Sequence, residues 1–294
     1  MCKLVQPAGD RSESYRAGFL AVQSKTATAT DQHPEGSQAN REWKHGYKRA
    51  QDECLDFAFV RRQRISQPVW ARDKHRVLTN LSRRSLEPFV HTTTINKNAS
   101  VELSQVVGTE HPDYGGMSWL EMLSRGKKMR SNLNLLLNNP GYYLATMPND
   151  NQPSYYTQDG SSIFIVGDGN HRTCIARFFL AERGLSQLHG VTITHDQIDH
   201  ELLRLYRRLK TAVDKTGTVA RVQPDRSSIS EERHQARETY RYEPFLVWRD
   251  WKTQRAERLD RNQVRERVEA LEVKARRQAF RDRLKTRVKS FMGG

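Results

Sequence analysis

The residue types best suited to chemistry fall between positions 161 and 180. Ile163, Phe164, Ile165 and Val166 form a short apolar run that suits a buried strand. Gly167-Asp168-Gly169 breaks it, and from Thr173 onward Ile175, Ala176, Phe178, Phe179 and Leu180 fit a helix. The segment therefore reads as strand, glycine-rich turn, helix start. A helix start offers N–H groups without intrahelical acceptors and the positive end of the helix dipole. Glycines let an anion approach the backbone, and Arg172 adds a planar charged fork. Phosphate handling is the chemistry implied. The run lacks the Gly-Lys-Ser/Thr ending of a Walker loop and does not match a dinucleotide fingerprint. The plain alternative is a helix cap that only holds a tight turn.

A second cluster is His195, Asp196, Asp199 and His200. On a helix, His195 with Asp199 and Asp196 with His200 lie four apart, a spacing that can ligate a divalent metal. An acidic helix start, with Asp196 near the positive dipole end, accounts for the same residues.

These residues need elements to hold them. The 294 residues carry 49 Lys and Arg against 34 Asp and Glu, a net charge of +15. Apolar residues make up 36%, which suits a modest core with polar helical extensions. No apolar run reaches the length of a membrane span. Residues 1–10 lack a basic segment followed by an apolar one, so no secretory signal is expected. Cys2, Cys54 and Cys174 are too few for a disulfide framework or a tetrathiolate zinc site and suit a reducing cytoplasm. The charge is clustered: 61–84 carries +7 and 271–290 carries +6. Clustering points to nucleic acid, with Arg61, Arg62, Arg64, Arg276, Arg277 and Arg281 toward phosphates.

Along the chain the expected zones are a short helical segment at 1–60, a basic connector at 61–94 limited by Pro68 and Pro88, and a compact α/β unit at 95–213. A polar linker at 214–240 and a basic amphipathic helical tail at 241–294 follow. Within 1–60, a polar stretch at 24–39 separates two short helices. In the tail, Val264, Val268, Leu271 and Ala275, then Phe280, Leu284, Val288 and Phe291, keep helical spacing. That helix packs on its own domain or meets nucleic acid or a protein partner; Trp248 and Trp251 would anchor it.

Asp168-Gly169-Asn170-His171-Arg172, with Ala176 following, resembles the Asp-Gly-x-x-Arg motif of the ParB/sulfiredoxin superfamily over about residues 95–200. The resemblance implies a first strand at 101–107, helices at 119–137, a strand at 141–147, the motif strand and helix, and a strand at 190–194. It also implies phosphate contacts from Gly169, Asn170, His171 and Arg172, to which the helix start adds Thr173. Asn170 stands where sulfiredoxins carry a catalytic cysteine, so sulfinic-acid repair is not expected. Cys174 lies inside the expected helix and suits a buried small hydrophobe. The superfamily includes partition nucleotide switches, nucleases, ATPases and plasmid fertility-inhibition factors. No helix-turn-helix array follows the motif, which favours an accessory protein of plasmid or phage type. Asp168 would bind a metal or steady the loop, and His171 would donate to phosphate or move a proton.

Tyr15-Arg-Ala-Gly18-Phe19 and Trp43-Lys-His-Gly46-Tyr47 resemble ribosome modulation factor, without its Cys-Pro-Tyr middle. That resemblance implies an RNA- or ribosome-contacting helical pair, with Arg16, Lys44, Lys48 and Arg49 toward phosphates and Trp43 as its anchor. The combined expectation is a cytoplasmic α/β protein with a small mixed sheet, flanked by N- and C-terminal helices and associated with DNA or RNA. It would hydrolyse a nucleoside triphosphate or DNA through His171, Asn170 and Asp168, with Mg2+ and CTP or ATP. Metal candidates are Asp168, His195 and Asp199. The rival is a non-enzymatic nucleic-acid or ribosome-binding module.

Overall fold

In the computed structural model, residues 12–23, 32–53, 58–146 and 152–292 are described. The fold is mixed α/β, with parallel and antiparallel strand pairs and helices at both ends of the described chain. It divides into two units: 1–78 with 97–156 and 162–193, and 79–96 with 157–161 and 194–294.

In the first unit, β1 (Arg76–Val77), β3 (Val106–Thr109) and β5 (Ser162–Val166) are parallel neighbours. Parallel strands need a crossover. Here α5 (Trp119–Arg125) and α6 (Met129–Asn138) lie in the connection between β3 and β5. Helix α5 starts sharply because Ser118 and Glu121 form a reciprocal capping box. β4 (Ser154–Gln158) follows β5 in strand order, and α7 (Asn170–Ala181) follows β5 in the chain. The core includes Trp119, Met122, Leu133, Tyr155, Ile165 and Phe178.

One cation lies inside this core. Arg177 of α7 is 7% exposed, and its guanidinium carbon sits 4.4 Å from the Trp70 ring centre and 4.5 Å from that of Trp119. Its Nη1 donates to the Val106 carbonyl at 2.9 Å. Burial alone would penalise the charge; two indole faces and a carbonyl offset that cost. Arg177→Ala should open a void between the tryptophans and destabilise the chain by ~3–5 kcal/mol, read from the urea midpoint. A loss below ~1 kcal/mol would show that the rings close over the gap without it.

Helices α1 (Glu13–Gln23) and α2 (Gln38–Glu53) pack together in the same unit. A methyl on Gly18 would meet the Trp43 carbonyl oxygen at 2.1 Å, so only glycine allows this approach. Tyr15 is buried and meets His45 edge-on, whereas Trp43 is half-buried and stacks on Tyr47 at 5.0 Å. Tyr15 is the buried aromatic of α1, and Trp43, expected to anchor the second helix, is only half-buried there. Gly18→Ala should separate the two helices at a cost of ~1–3 kcal/mol. Faster proteolysis between them would report it, and an unchanged cleavage rate would contradict the close packing. α3 (Ala58–Ile65) completes the N-terminal helices.

The second unit is built on a long antiparallel hairpin, β7 (Ala220–His234) and β8 (Arg237–Asp250). β9 (Arg255–Leu259) pairs with β8, and β2 (Val90–Glu102) pairs with β8 through residues 92–96. α8 (His200–Thr216) buries Leu202, Leu205, Leu209 and Val213, spaced three or four apart. This stripe joins Leu246 and Trp248 of β8 and Val264 and Val268 of α9 (Arg261–Met292) in one cluster. α4 (Asn80–Leu86) lies in this unit, and β6 (Gln187–Ile198) enters it at residue 194.

Several sequence expectations change. The linker at 214–240 is the end of α8, all of β7 and the start of β8; Pro224 is tolerated because β7 ends the strand order and is an edge. The tail at 241–294 becomes helical only at Arg261, so Trp248 lies on a strand and Trp251 in a turn. Along α9 Val264 and Val268 are buried, but Phe280 and Leu284 are exposed. The side chains of Val288 and Phe291 lie outside the described residues, as do Cys2 and Cys54. The connector at 61–94 contains α4, β1, most of α3 and the start of β2. The expected strand at 141–147 begins as a 3-10 turn, Pro140–Tyr143, and its last residue is not described. The expected first strand at 101–107 divides into the end of β2 and the start of β3.

Candidate functional site

The loop 167–169 leaves the C-terminal end of β5 and enters α7 directly. The helix begins at Asn170, three residues earlier than expected, because Gly169 takes the N-cap position. Its φ of 123° is one that side-chain-bearing residues rarely adopt, and an added Cβ would meet Pro153 at 2.9 Å. Thr173 N–H closes the first turn on the Gly169 carbonyl at 2.8 Å. Gly169 has no side chain with which to cap the first N–H groups of α7.

The surrounding side chains come from distant segments. Glu110 accepts the Gly167 N–H. Asp168 Oδ1 accepts the Gly169 N–H at 2.8 Å, and its Oδ2 accepts Arg172 Nη2 at 3.1 Å. Arg172 Nη1 donates to the Tyr142 hydroxyl at 2.9 Å. Asp168 thus steadies the loop and its arginine, one of the two roles left open by the sequence. Thr173 is fully buried, with its hydroxyl 2.8 Å from that of Tyr155. It supports the helix start from inside rather than facing a ligand with its side chain. Asn170 is 5% exposed, and its Oδ1 has no hydrogen-bond partner. A buried amide oxygen without a donor is costly and calls for one from outside the protein.

His171 is also buried. Its Nε2 lies 3.1 Å from the Tyr114 hydroxyl and accepts the Lys128 N–H at 3.4 Å. Burial pushes its pKa down to about 4, against the upward pull of Asp168. The imidazole is therefore neutral at pH 7, and its Nε2 is already engaged. The ring braces the helix start against Tyr114 and the backbone at Lys128. The Tyr114 hydroxyl is pushed up by burial and by Asp113 and Asp168.

Other candidates separate. His195 and Asp196 lie on β6, Asp199 is the N-cap of α8, and His200 is its first residue, so the four do not share one helical face. Asp196 accepts from Thr93 at 2.6 Å. Asp199 accepts from the Leu202 N–H and from Arg261, and His200 pairs with Asp159 at 2.6 Å. Among the described residues no group of three or more His, Cys, Asp or Glu is gathered to hold a metal. Asp168, His195 and Asp199 accordingly form no joint metal site. Cys174 is buried and its thiol pKa is raised by desolvation, as expected for a packing residue.

Of the arginines assigned to nucleic acid, Arg62 pairs with Glu182 and Arg64 donates to Ser124. Arg61 is exposed on α3; Arg276, Arg277 and Arg281 are exposed on α9. Arg16 and Lys44 are exposed on α1 and α2, while the side chains of Lys48 and Arg49 lie outside the described residues. Glu110, Tyr114, Lys128, Tyr142 and Pro153 were not singled out in the sequence. All five precede β5 in the chain, and no local spacing links them to the motif. No family model matches the chain, and no curated protein or solved structure is significantly similar to it.

The low pKa of His171 has a consequence for stability. In the unfolded chain the ring titrates near 6.5, so between that pH and about 4 the unfolded state binds more protons. Stability should fall as pH drops through this window, by up to roughly 3 kcal/mol from this group. His75, also buried with a lowered pKa, adds in the same direction. His171→Asn should flatten the urea midpoint against pH between 6.5 and 4. An unchanged curve would mean that the ring is solvated in solution.

Proposed function

We propose that the chain is a nucleic-acid-associated protein in which loop 167–172 binds a phosphate group. The observation that carries this is the uncapped start of α7, with Arg172 at its side and the Asn170 Oδ1 buried without a donor. Such a site takes an anion on its N–H groups and a hydroxyl or amine on Asn170. A phosphate attached to a sugar supplies both. Asp168 is 90% exposed, so a phosphate can replace its carboxylate on the Arg172 fork. The strand–turn–helix order around the motif supports a ParB-like reading, as do α5, α6 and β6 where that resemblance implies them.

Binding without turnover is the form favoured here, since His171 is neutral and its Nε2 engaged. The expected Mg2+ finds two carboxylates at the loop, Glu110 and Asp168, both accepting backbone N–H groups, and no third His, Cys, Asp or Glu gathers with them among the described residues; this donor set does not fit a resident ion, and no step is assigned to one. The exposed arginines of α9 would add affinity for polyanions by releasing counterions.

Fluorescence anisotropy with duplex DNA, single-stranded DNA and RNA tests this. Arg172→Ala should weaken binding by ~1.5–3 kcal/mol while the far-UV circular dichroism stays that of the wild type. Changing Arg276, Arg277 and Arg281 together to Gln should reduce the log–log salt slope on duplex DNA by up to roughly 0.9 for each phosphate that the variant no longer neutralises. Unaltered affinity in Arg172→Ala would remove the loop from the interface. Phosphate release from CTP, ATP or DNA in the presence of Mg2+ would restore the hydrolase reading.

A further inference from the structure

The second unit holds a cavity that the phosphate loop does not share. It has a volume of about 520 Å³ and lies between α4 and the sheet strands β2, β6, β7 and β8. Thr93 and Tyr240, paired in register on neighbouring strands, contribute to its sheet wall, with Asp196 and Tyr242. Arg83 and Arg84 reach it from α4, and Arg226 from β7.

We propose that this cavity binds a nucleoside phosphate. Three arginines from two separate elements, Arg83, Arg84 and Arg226, line one cavity beside the single carboxylate of Glu87 on that side, and planar forks match phosphate oxygens. The Arg226 guanidinium carbon lies 4.1 Å from the Tyr242 ring centre, with Nη2 held by Glu87 at 2.9 Å. This stack is pre-set as a flat platform, the shape that a base ring covers. Asp196 is buried in the wall and takes the Thr93 hydroxyl at 2.6 Å. A carboxylate there repels phosphate but accepts from the ring N–H or amino group of a base. The lining is thus cationic on the α4 side, and aromatic and acceptor-bearing on the sheet side. A bare anion satisfies only the first half; a nucleoside satisfies only the second. The volume falls within the range of small-ligand pockets. A free nucleotide and the terminal nucleotide of a single strand present the same groups.

Photocrosslinking of the full-length protein with azido-adenosine triphosphate, followed by peptide mapping, tests the proposal. Saturable labelling should map to α4, β7 or β8. ATP should compete at least about tenfold better than pyrophosphate or adenosine, the scale of one charge-assisted hydrogen bond. Arg84→Ala, at an exposed position, should reduce labelling about tenfold; Arg226→Lys should also reduce it, since it keeps the charge but loses the planar stack. Stronger competition by a 5′-phosphorylated single strand than by ATP would identify a strand end as the source; the reverse order would identify a free nucleotide. Label confined to loop 167–172, pyrophosphate competing as well as ATP, or wild-type labelling in Arg84→Ala would overturn the proposal. Loss of nucleic-acid binding in Arg172→Ala reports on the loop alone, so the two sites can fail separately.

Discussion

The first unit depends on a cation that is almost wholly withdrawn from water. Arg177 is held between the faces of Trp70 and Trp119 and donates to Val106. Desolvating a guanidinium is tolerable only when its charge and its donors find partners, and here they come from α5, β3 and the 3-10 turn Val69–Arg72. Those partners fix α7 along its length. Because Arg177 lies about two helical turns beyond Asn170, holding it also holds the helix start beside the end of β5. The loop glycines can then adopt unusual backbone angles without loosening the site.

The same constraint explains why the loop residues divide their roles. Thr173 and His171 face inward and brace the helix, through Tyr155 and Tyr114 respectively. Asp168 and Arg172 remain nearer the solvent and neutralise each other. At the start of α7 the Asn170 amide oxygen is left buried without a donor, beside the positive end of the helix.

Arginine does structural work in the second unit as well, which alters the meaning of the net charge. Arg208 pairs with Glu272, Arg261 with Asp199, and Arg265 with Glu201, tying α8 to α9. Arg226, Arg258 and Arg267 lie over Tyr242, Phe245 and Trp248. A guanidinium committed to a carboxylate or a ring attracts polyanions less than an unpaired one. These arginines lie outside the charged stretches 61–84 and 271–290, and the exposed arginines beyond residue 275 carry more of the cationic surface than they do.

Sequence alone determined the elements whose cause is local. The apolar run at 163–166, the helices within 119–137 and the strand at 190–194 fall where their patterns place them. The motif's glycine turn was legible because its backbone angles demand glycine. Tertiary structure decided what depends on distant partners. The polar stretch 220–234 reads as a linker by composition, yet it becomes a strand because β8 supplies its hydrogen bonds, and its proline is harmless on an edge. His195 to His200 read as a helix, but the strand continues to Ile198 and only then does Asp199 cap the turn. Tyr114, Tyr142 and Glu110 reached the loop, and Trp70 and Trp119 reached Arg177, through packing alone. Helix periodicity and turn chemistry act over a few residues. Strand pairing and the compensation of a buried charge act across the whole chain, so only the folded molecule reveals them.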